Sequence, residues 1–161
     1  MTFHSKHLLT PENSLFIFVD QQPQMAFSVR SIDAQLLKNN TIAMAKTAAC
    51  FNIPSILTSI ESENFSGYIW PELLDVLQQD TFERTTMNLW EDNDVHTAIK
   101  KSGRKKLVFS GLWTGVCINL PALSALEADY DVYIVGDACG EVSPEAQYAA
   151  MTRAEQAGAA P

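Results

Sequence analysis

One stretch limits the possible folds more than any other: residues 105–130, KKLVFSGLWTGVCINLPALSALEADY. Residues 107–109 are an apolar, partly β-branched run behind two lysines, which is the pattern of a buried strand. A turn with Gly111 and Gly115 at its ends follows, then Cys117. Leu120, Leu123, Ala125, Leu126 and Tyr130 then recur at helical spacing. Pro121 locates the start of that helix. A proline is cheap only within about the first four helical positions, where its missing N–H had no partner anyway. The helix is therefore expected to begin near Ile118, with Cys117 at or just before its first turn. Strand, tight turn, cysteine and helix make the layout of a nucleophile elbow. Unpaired amides and the positive helix end favour thiolate at such a place.

The rest of the chain alternates strands and helices. Residues 15–19 (LFIFV) read as a strand buried on both faces and end in Asp20. Residues 21–30 read as a polar loop. Leu36, Leu37, Asn40, Met44 and Ala48 give a helix over 32–50, and 53–60 (IPSILTSI) a second strand. A loop over 61–68 leads to a short helix over 70–79 with Pro71 near its start. Residues 81–84 (TFER) suit a short edge strand and 85–90 a connector. A helix over 93–102 turns Val95, Ala98 and Ile99 inward and stops at Gly103. Residues 131–135 (DVYIV) form a fifth strand ending at Gly136-Asp137. Ser143 caps a helix over 144–156 that has Pro144 first and Gly158 after it. This order predicts a single α/β domain over 1–161: a three-layer α/β/α sandwich around a parallel sheet, strand order 3-2-1-4-5. Residues 1–13 read as an N-terminal arm.

The totals exclude several function classes. A net charge of −8 and a pI of about 4.7 argue against nucleic-acid partners and anionic membrane surfaces. No apolar run approaches the roughly 18 residues of a membrane span. The first residues lack a signal-type apolar core, so the protein is read as cytoplasmic. Cys50, Cys117 and Cys139 are too few and too scattered for a disulfide framework. His4, His7 and His96 do not assemble a zinc site or a Cys-His couple. No glycine-rich phosphate motif follows any strand, which disfavours a nucleotide-binding domain.

Sites in open parallel sheets form beyond the carboxyl ends of the strands, where strand order reverses. In the order 3-2-1-4-5, strands one and four are neighbours at that point. Asp20 and Cys117 should then converge. A thiol there can attack a carbonyl-like carbon while the carboxylate takes its proton and returns it to a leaving group. Arg84, after the third strand, is placed to hold the carboxylate. Turn amides before Cys117, with its own N–H, suit an oxyanion. Asp137 competes with Asp20 for the acidic role. Cys50 and Cys139 read as packing residues. Trp113 and Phe65 suit either a pocket wall or the core.

FIFVDQQ, PSILTS and above all GLWTGVCINLPALSALEADYDVYIVGDACG resemble the isochorismatase-like cysteine hydrolases, and within them the YcaC-type branch. The resemblance runs from about Ser14 to the end. It implies an α/β/α sandwich of order 3-2-1-4-5-6 and an Asp–Lys–Cys triad. The Asp falls on Asp20 and the Cys on Cys117. The Lys falls on Arg84, a departure that keeps the charge but hardly ever yields a proton. It also implies a cis peptide at Leu112–Trp113, which would aim the Trp113 N–H, with that of Cys117, at the oxyanion. Close members often carry Glu two positions before the cysteine, where this chain has Gly115. Nicotinamidases of the superfamily bind a metal through histidines after strand two. SIESENFSGYIWPEL has none, so neither a metal nor a cofactor is expected. The implied sixth strand would follow residues 156–159, and the chain is read as stopping short of it. Family members are usually homo-oligomers. The expected function is therefore a metal-independent cysteine hydrolase that cleaves a C–N bond of a small amide-like substrate. The alternative is a non-catalytic binding or assembly module, motivated by the Lys-to-Arg departure and by the expected absence of the sixth strand.

Overall fold

The computed structural model describes residues 8–161, so His4, His7 and the first part of the expected arm lie outside the described residues. The strands are β1 (Ser14–Val19), β2 (Ser55–Ile60), β3 (Phe82–Arg84), β4 (Lys106–Leu112) and β5 (Asp131–Gly140). The helices are α1 (Pro23–Phe27), α2 (Ala34–Phe51), α3 (Pro71–Leu77), α4 (Asn93–Ser102), α5 (Asn119–Glu127) and α6 (Pro144–Ala157). The strands form one parallel sheet in the order β3-β2-β1-β4-β5. Every residue of β1 and β4 is buried, as strands covered on both faces require. Helix α2 packs on α3, and α5 on α6, while the short turn Leu89–Glu91, just before α4, packs against both α4 and α5.

Local chemistry explains the boundaries. Asp33 caps α2 by accepting the Leu36 N–H at 2.9 Å. Leu37, Thr41, Met44, Ala45 and Ala48 then form its buried stripe. Pro71 and Pro144 open α3 and α6. Gly103 ends α4 in the left-handed region.

Three expectations change. Pro23 starts a helix, α1, inside the expected 21–30 loop. A wide helical turn, Ser62–Ser66, occupies the expected 61–68 loop. β5 continues to Gly140, because a register shift between Phe109 and Gly111 lets it keep pairing alongside the glycine turn. The sheet keeps the five strands expected, and one isolated bridge lies on the outer edge of β5. Ala160 bridges Tyr133 in parallel; its N–H donates to the Val132 carbonyl at 2.9 Å, and its own carbonyl accepts the Ile134 N–H at 2.8 Å.

One glycine sets how closely the two central strands meet. Gly111 pairs with Val19 and has φ 152°. A Cβ there would lie 2.0 Å from the Val19 carbonyl oxygen. Only glycine lets β4 close against β1 one residue before Asp20. Gly111→Ala should therefore destabilise the fold by about 4 kcal/mol or more, read as a drop in urea-unfolding midpoint or as loss of soluble protein.

Candidate active site

Asp20 follows β1 directly in a left-handed backbone conformation, φ 59°. Its N–H donates to the Thr58 carbonyl at 3.0 Å, and its carbonyl accepts the Gln22 N–H at 2.7 Å. These bonds fix the turn that carries its fully buried side chain. Oδ2 accepts Arg84 Nη2 at 2.5 Å, with both side chains wholly out of solvent. Arg84 closes β3 and reaches past the end of β2; its Nη1 donates to the Thr86 carbonyl. The other carboxylate oxygen, Asp20 Oδ1, carries no hydrogen bond of full geometry, nor does Arg84 Nε.

Cys117 sits beside this pair, fully buried. It is the fourth residue of a wide turn, Thr114–Ile118, that runs into α5. The α-helix itself, α5, starts at Asn119, next to the Ile118 expected, and the wide turn precedes it. Pro121 is the third residue of α5, where its missing N–H costs little. The Leu112–Trp113 peptide is cis. The Trp113 N–H lies near the Cys117 sulfur and favours its ionised form, and the indole Nε1 donates to the Met25 carbonyl at 3.0 Å, pinning the ring against α1.

Burial governs the electrostatics. It raises Asp20 from 3.8 to about 6, and Arg84 and a contact with the Cys117 thiol offset only part of that. Burial, and next the charge of Asp20, push Cys117 up to about 12, against Arg84 and the Trp113 N–H. The expected thiolate-favouring setting is thus corrected: desolvation outweighs the turn amides. At neutral pH the resting pair is carboxylate and thiol.

Other expectations sort as follows. Asp137 lies exposed within β5, away from the cluster, and Phe65 is exposed. Cys139 is buried, but Cys50 is exposed and so is no packing residue. Three residues with roles here escaped the sequence reading. Gln22 is buried; its Oε1 accepts the Ile60 N–H at 3.0 Å and its Nε2 donates to the Gly67 carbonyl at 2.6 Å, tying together the segments after β1 and β2. The DQQ run behind a buried strand was the available signal. The Glu83 carboxylate takes Ser59 Oγ at 2.5 Å, Ser62 Oγ at 2.6 Å and the Ser62 N–H at 2.7 Å. Burial opposes its charge, yet these bonds win and hold it below the usual range. Glu83 also lines a cleft of about 490 Å³ with Glu61, Ser62 and Tyr68. Glu141 Oε2 accepts the Gly115 N–H at 2.6 Å; nothing local in sequence announces a contact across that distance. Among the described residues no group of three His, Cys, Asp or Glu side chains is placed to hold a metal. None of the helices described is long and apolar enough to cross a membrane.

A parallel sheet with its polar cluster at the strand-order switch point defines an α/β enzyme. The chain belongs to the isochorismatase family: the Isochorismatase domain model matches residues 14–161, and the protein is a hydrolase of that family. It is 34% identical to the probable hydrolase YcaC of Escherichia coli over 153 residues, which is 94% of this chain and 74% of that one. The structure of YcaC from Pseudomonas aeruginosa with hexane-2,5-diol and covalent acrylamide superposes with a TM-score of 0.93 at 34% identity, over 98% of this chain and 79% of that one. The Escherichia coli YcaC structure, described as an octameric hydrolase of unknown specificity, gives a TM-score of 0.93 at 33% identity, over 98% and 78%. A Bacillus subtilis nicotinamidase/pyrazinamidase shares the fold at 12% identity and a TM-score of 0.78, over 92% and 98%.

The buried pair makes stability depend on pH. The folded pKa of Asp20 lies above its ordinary 3.8, so its contribution is full below that value and is lost as pH rises through about 6. Arg84→Met removes the cation that lowers this pKa, so the loss deepens and extends to higher pH. The variant should be about 3–5 kcal/mol less stable than wild type at pH 8, with a smaller deficit at pH 5, where the carboxyl is protonated. Urea unfolding at both pH values measures this.

Proposed function

We propose that the chain is a metal-independent cysteine hydrolase that opens a C–N bond of a small amide-like substrate through a covalent Cys117 intermediate. The observation that carries this is the arginine-held carboxylate of Asp20 in contact with the Cys117 thiol. Asp20 takes the S–H proton as sulfur attacks the carbonyl carbon. The N–H groups of Trp113 and Cys117 bind the oxyanion. The tetrahedral centre collapses, the C–N bond breaks, and Asp20 returns its proton to the departing nitrogen. Water then adds to the thioester and gives its proton to Asp20. Collapse of the second tetrahedral centre releases the carboxylic acid, and Asp20 reprotonates the sulfur. Arg84 stays charged throughout and holds the carboxylate in place.

Several points support the reading. The Pseudomonas aeruginosa relative was captured with covalent acrylamide, an electrophile to which thiols add. The chemistry needs no metal, because Asp20 supplies the base and Cys117 the nucleophile. The continuous core around one sheet supports the single-domain reading. The octameric Escherichia coli relative supports a homo-oligomer, as do Phe27, Phe65, Tyr68 and Met87, which are large, apolar and exposed. Three free cysteines with no disulfide fit a reducing compartment such as the cytoplasm.

Ammonia release from a panel of small carboxamides tests the proposal. Cys117→Ala should lower turnover by about 10³-fold or more while the circular dichroism stays native. Turnover by that variant at the wild-type rate would overturn the reading. For an active substrate, kcat/KM should fall tenfold per pH unit below about 6, where Asp20 becomes protonated and can no longer accept a proton.

A further inference from the structure

Glu141 lies one residue beyond β5 and is 6% exposed, yet the proposed chemistry gives it no part. Its carboxylate is spent on backbone. Oε2 accepts the Gly115 N–H at 2.6 Å and Oε1 accepts the Val142 N–H at 2.8 Å. Its own backbone is anchored as firmly. The Glu141 N–H donates to Ser31 Oγ at 2.9 Å, and its carbonyl accepts the Arg30 N–H at 2.9 Å and the Ser31 N–H at 3.2 Å. One residue therefore binds the segment after β1 and the segment after β4 to the end of β5.

Gly115 and Glu141 fit as a matched pair. A Cβ on Gly115 would lie 2.9 Å from Glu141 Oε2, closer than real contacts of this kind. Gly115 shows no left-handed φ, so the carboxylate is what requires glycine there. Gly115 belongs to the same wide turn as Cys117, two positions before it. An amide in the opening turn of a helical segment has no partner within the helix and must find one elsewhere. The Gly115 N–H finds it in Glu141, so it is withdrawn from any oxyanion role. Thr114 of the same turn donates its hydroxyl to Gln147 Oε1 at 2.6 Å, a second tie to the β5–α6 side.

We infer that Glu141 is a positioning residue: its carboxylate, docked on the Gly115 amide, sets the turn that keeps the Cys117 thiol against Asp20. The inference rests on the cysteine-hydrolase reading. Charge alone is not its action, since both oxygens are engaged by N–H donors. A displacement of this turn by about 1 Å would part thiol and base at a cost of about 100-fold in reaction rate.

Alkylation of Cys117 by iodoacetamide reads this without any knowledge of the substrate. A Cys50→Ser background removes the exposed thiol. In that background the rate at Cys117 should rise through about pH 6, following its base. Glu141→Ala should lower the rate at pH 7 by about 10-fold to 100-fold and move the limb towards the ordinary thiol range. Gly115→Ala, which displaces the carboxylate without deleting it, should do the same. The double variant should be no slower than either single one, because both remove one contact. Glu141→Gln keeps one acceptor and should recover part of the rate. A merely structural role would lower the melting temperature and leave the limb in place, or loosen the turn and speed alkylation. If natively folded Glu141→Ala keeps the wild-type rate and limb, or if the two losses add, the inference is overturned. If Glu141→Ala does not fold, Gly115→Ala and Glu141→Gln decide by the same readout. If the background protein itself shows no limb near pH 6, the cysteine-hydrolase reading fails, and that outcome is separate from any behaviour of Glu141.

Discussion

The ion pair between Asp20 and Arg84, sealed from solvent, is the interaction on which the site's arrangement depends. Neither charge tolerates burial alone. A carboxylate or guanidinium taken out of water loses several kcal/mol of hydration, and only a close partner with further hydrogen bonds returns it. β1 and β3 are not neighbours; β2 lies between them. The Arg84 side chain must therefore pass the end of β2, and the order of the sheet is written into the length of this residue. A guanidinium suits the task. It remains ionised in any protein environment, and its separate Nη atoms serve Asp20 and the Thr86 carbonyl at once. A lysine would bring a point charge to the same place without that second fixed direction.

Closeness at the carboxyl edge then depends on small residues and borrowed side chains. Gly111 lets β4 meet β1 where a side chain would strike the Val19 carbonyl. Gln22 and Glu83 satisfy amides and hydroxyls at the end of β2. Glu141 does so for the turn that bears Cys117. Each replaces a hydrogen bond that regular structure cannot supply where strands end, which is where buried amides otherwise go unpaired.

What the sequence showed, and what it hid, follows from the range of each interaction. The strands were legible because apolar runs such as LFIFV have one stable setting, a sheet covered on both sides. Pro121 marked the start of α5 to within a few residues because its constraint is local. The convergence of Asp20 and Cys117 was legible through topology, since parallel order makes β1 and β4 neighbours. The run of β5 to Gly140 was not legible, because it depends on a register shift against β4. Nor was Glu141, whose partner lies across two elements. The protonation of Cys117 was misjudged for a related reason. Amides near a helix start are visible in sequence, whereas the depth of burial that overrules them is a property of the assembled fold.

That burial bears on how a protonated thiol can serve as a nucleophile. Burial, and next the second negative charge that ionising Cys117 would place beside an ionised Asp20, push the thiol up to about 12. Passing the proton from sulfur to Asp20 is a different step. It leaves one negative charge and one positive charge buried, as before, and moves the negative charge from oxygen to sulfur. The hydration penalty that forbids a free thiolate is then largely unchanged by the transfer. An acid with a pKa of about 6 is well matched to this, because it holds the proton more readily than an exposed carboxylate and still gives it up near neutral pH. In the proposed mechanism the enclosure that keeps Cys117 inert at rest therefore makes Asp20 the route by which it becomes reactive. Arg84 fixes the direction of that route by engaging Oδ2 and leaving Oδ1 without a full hydrogen bond.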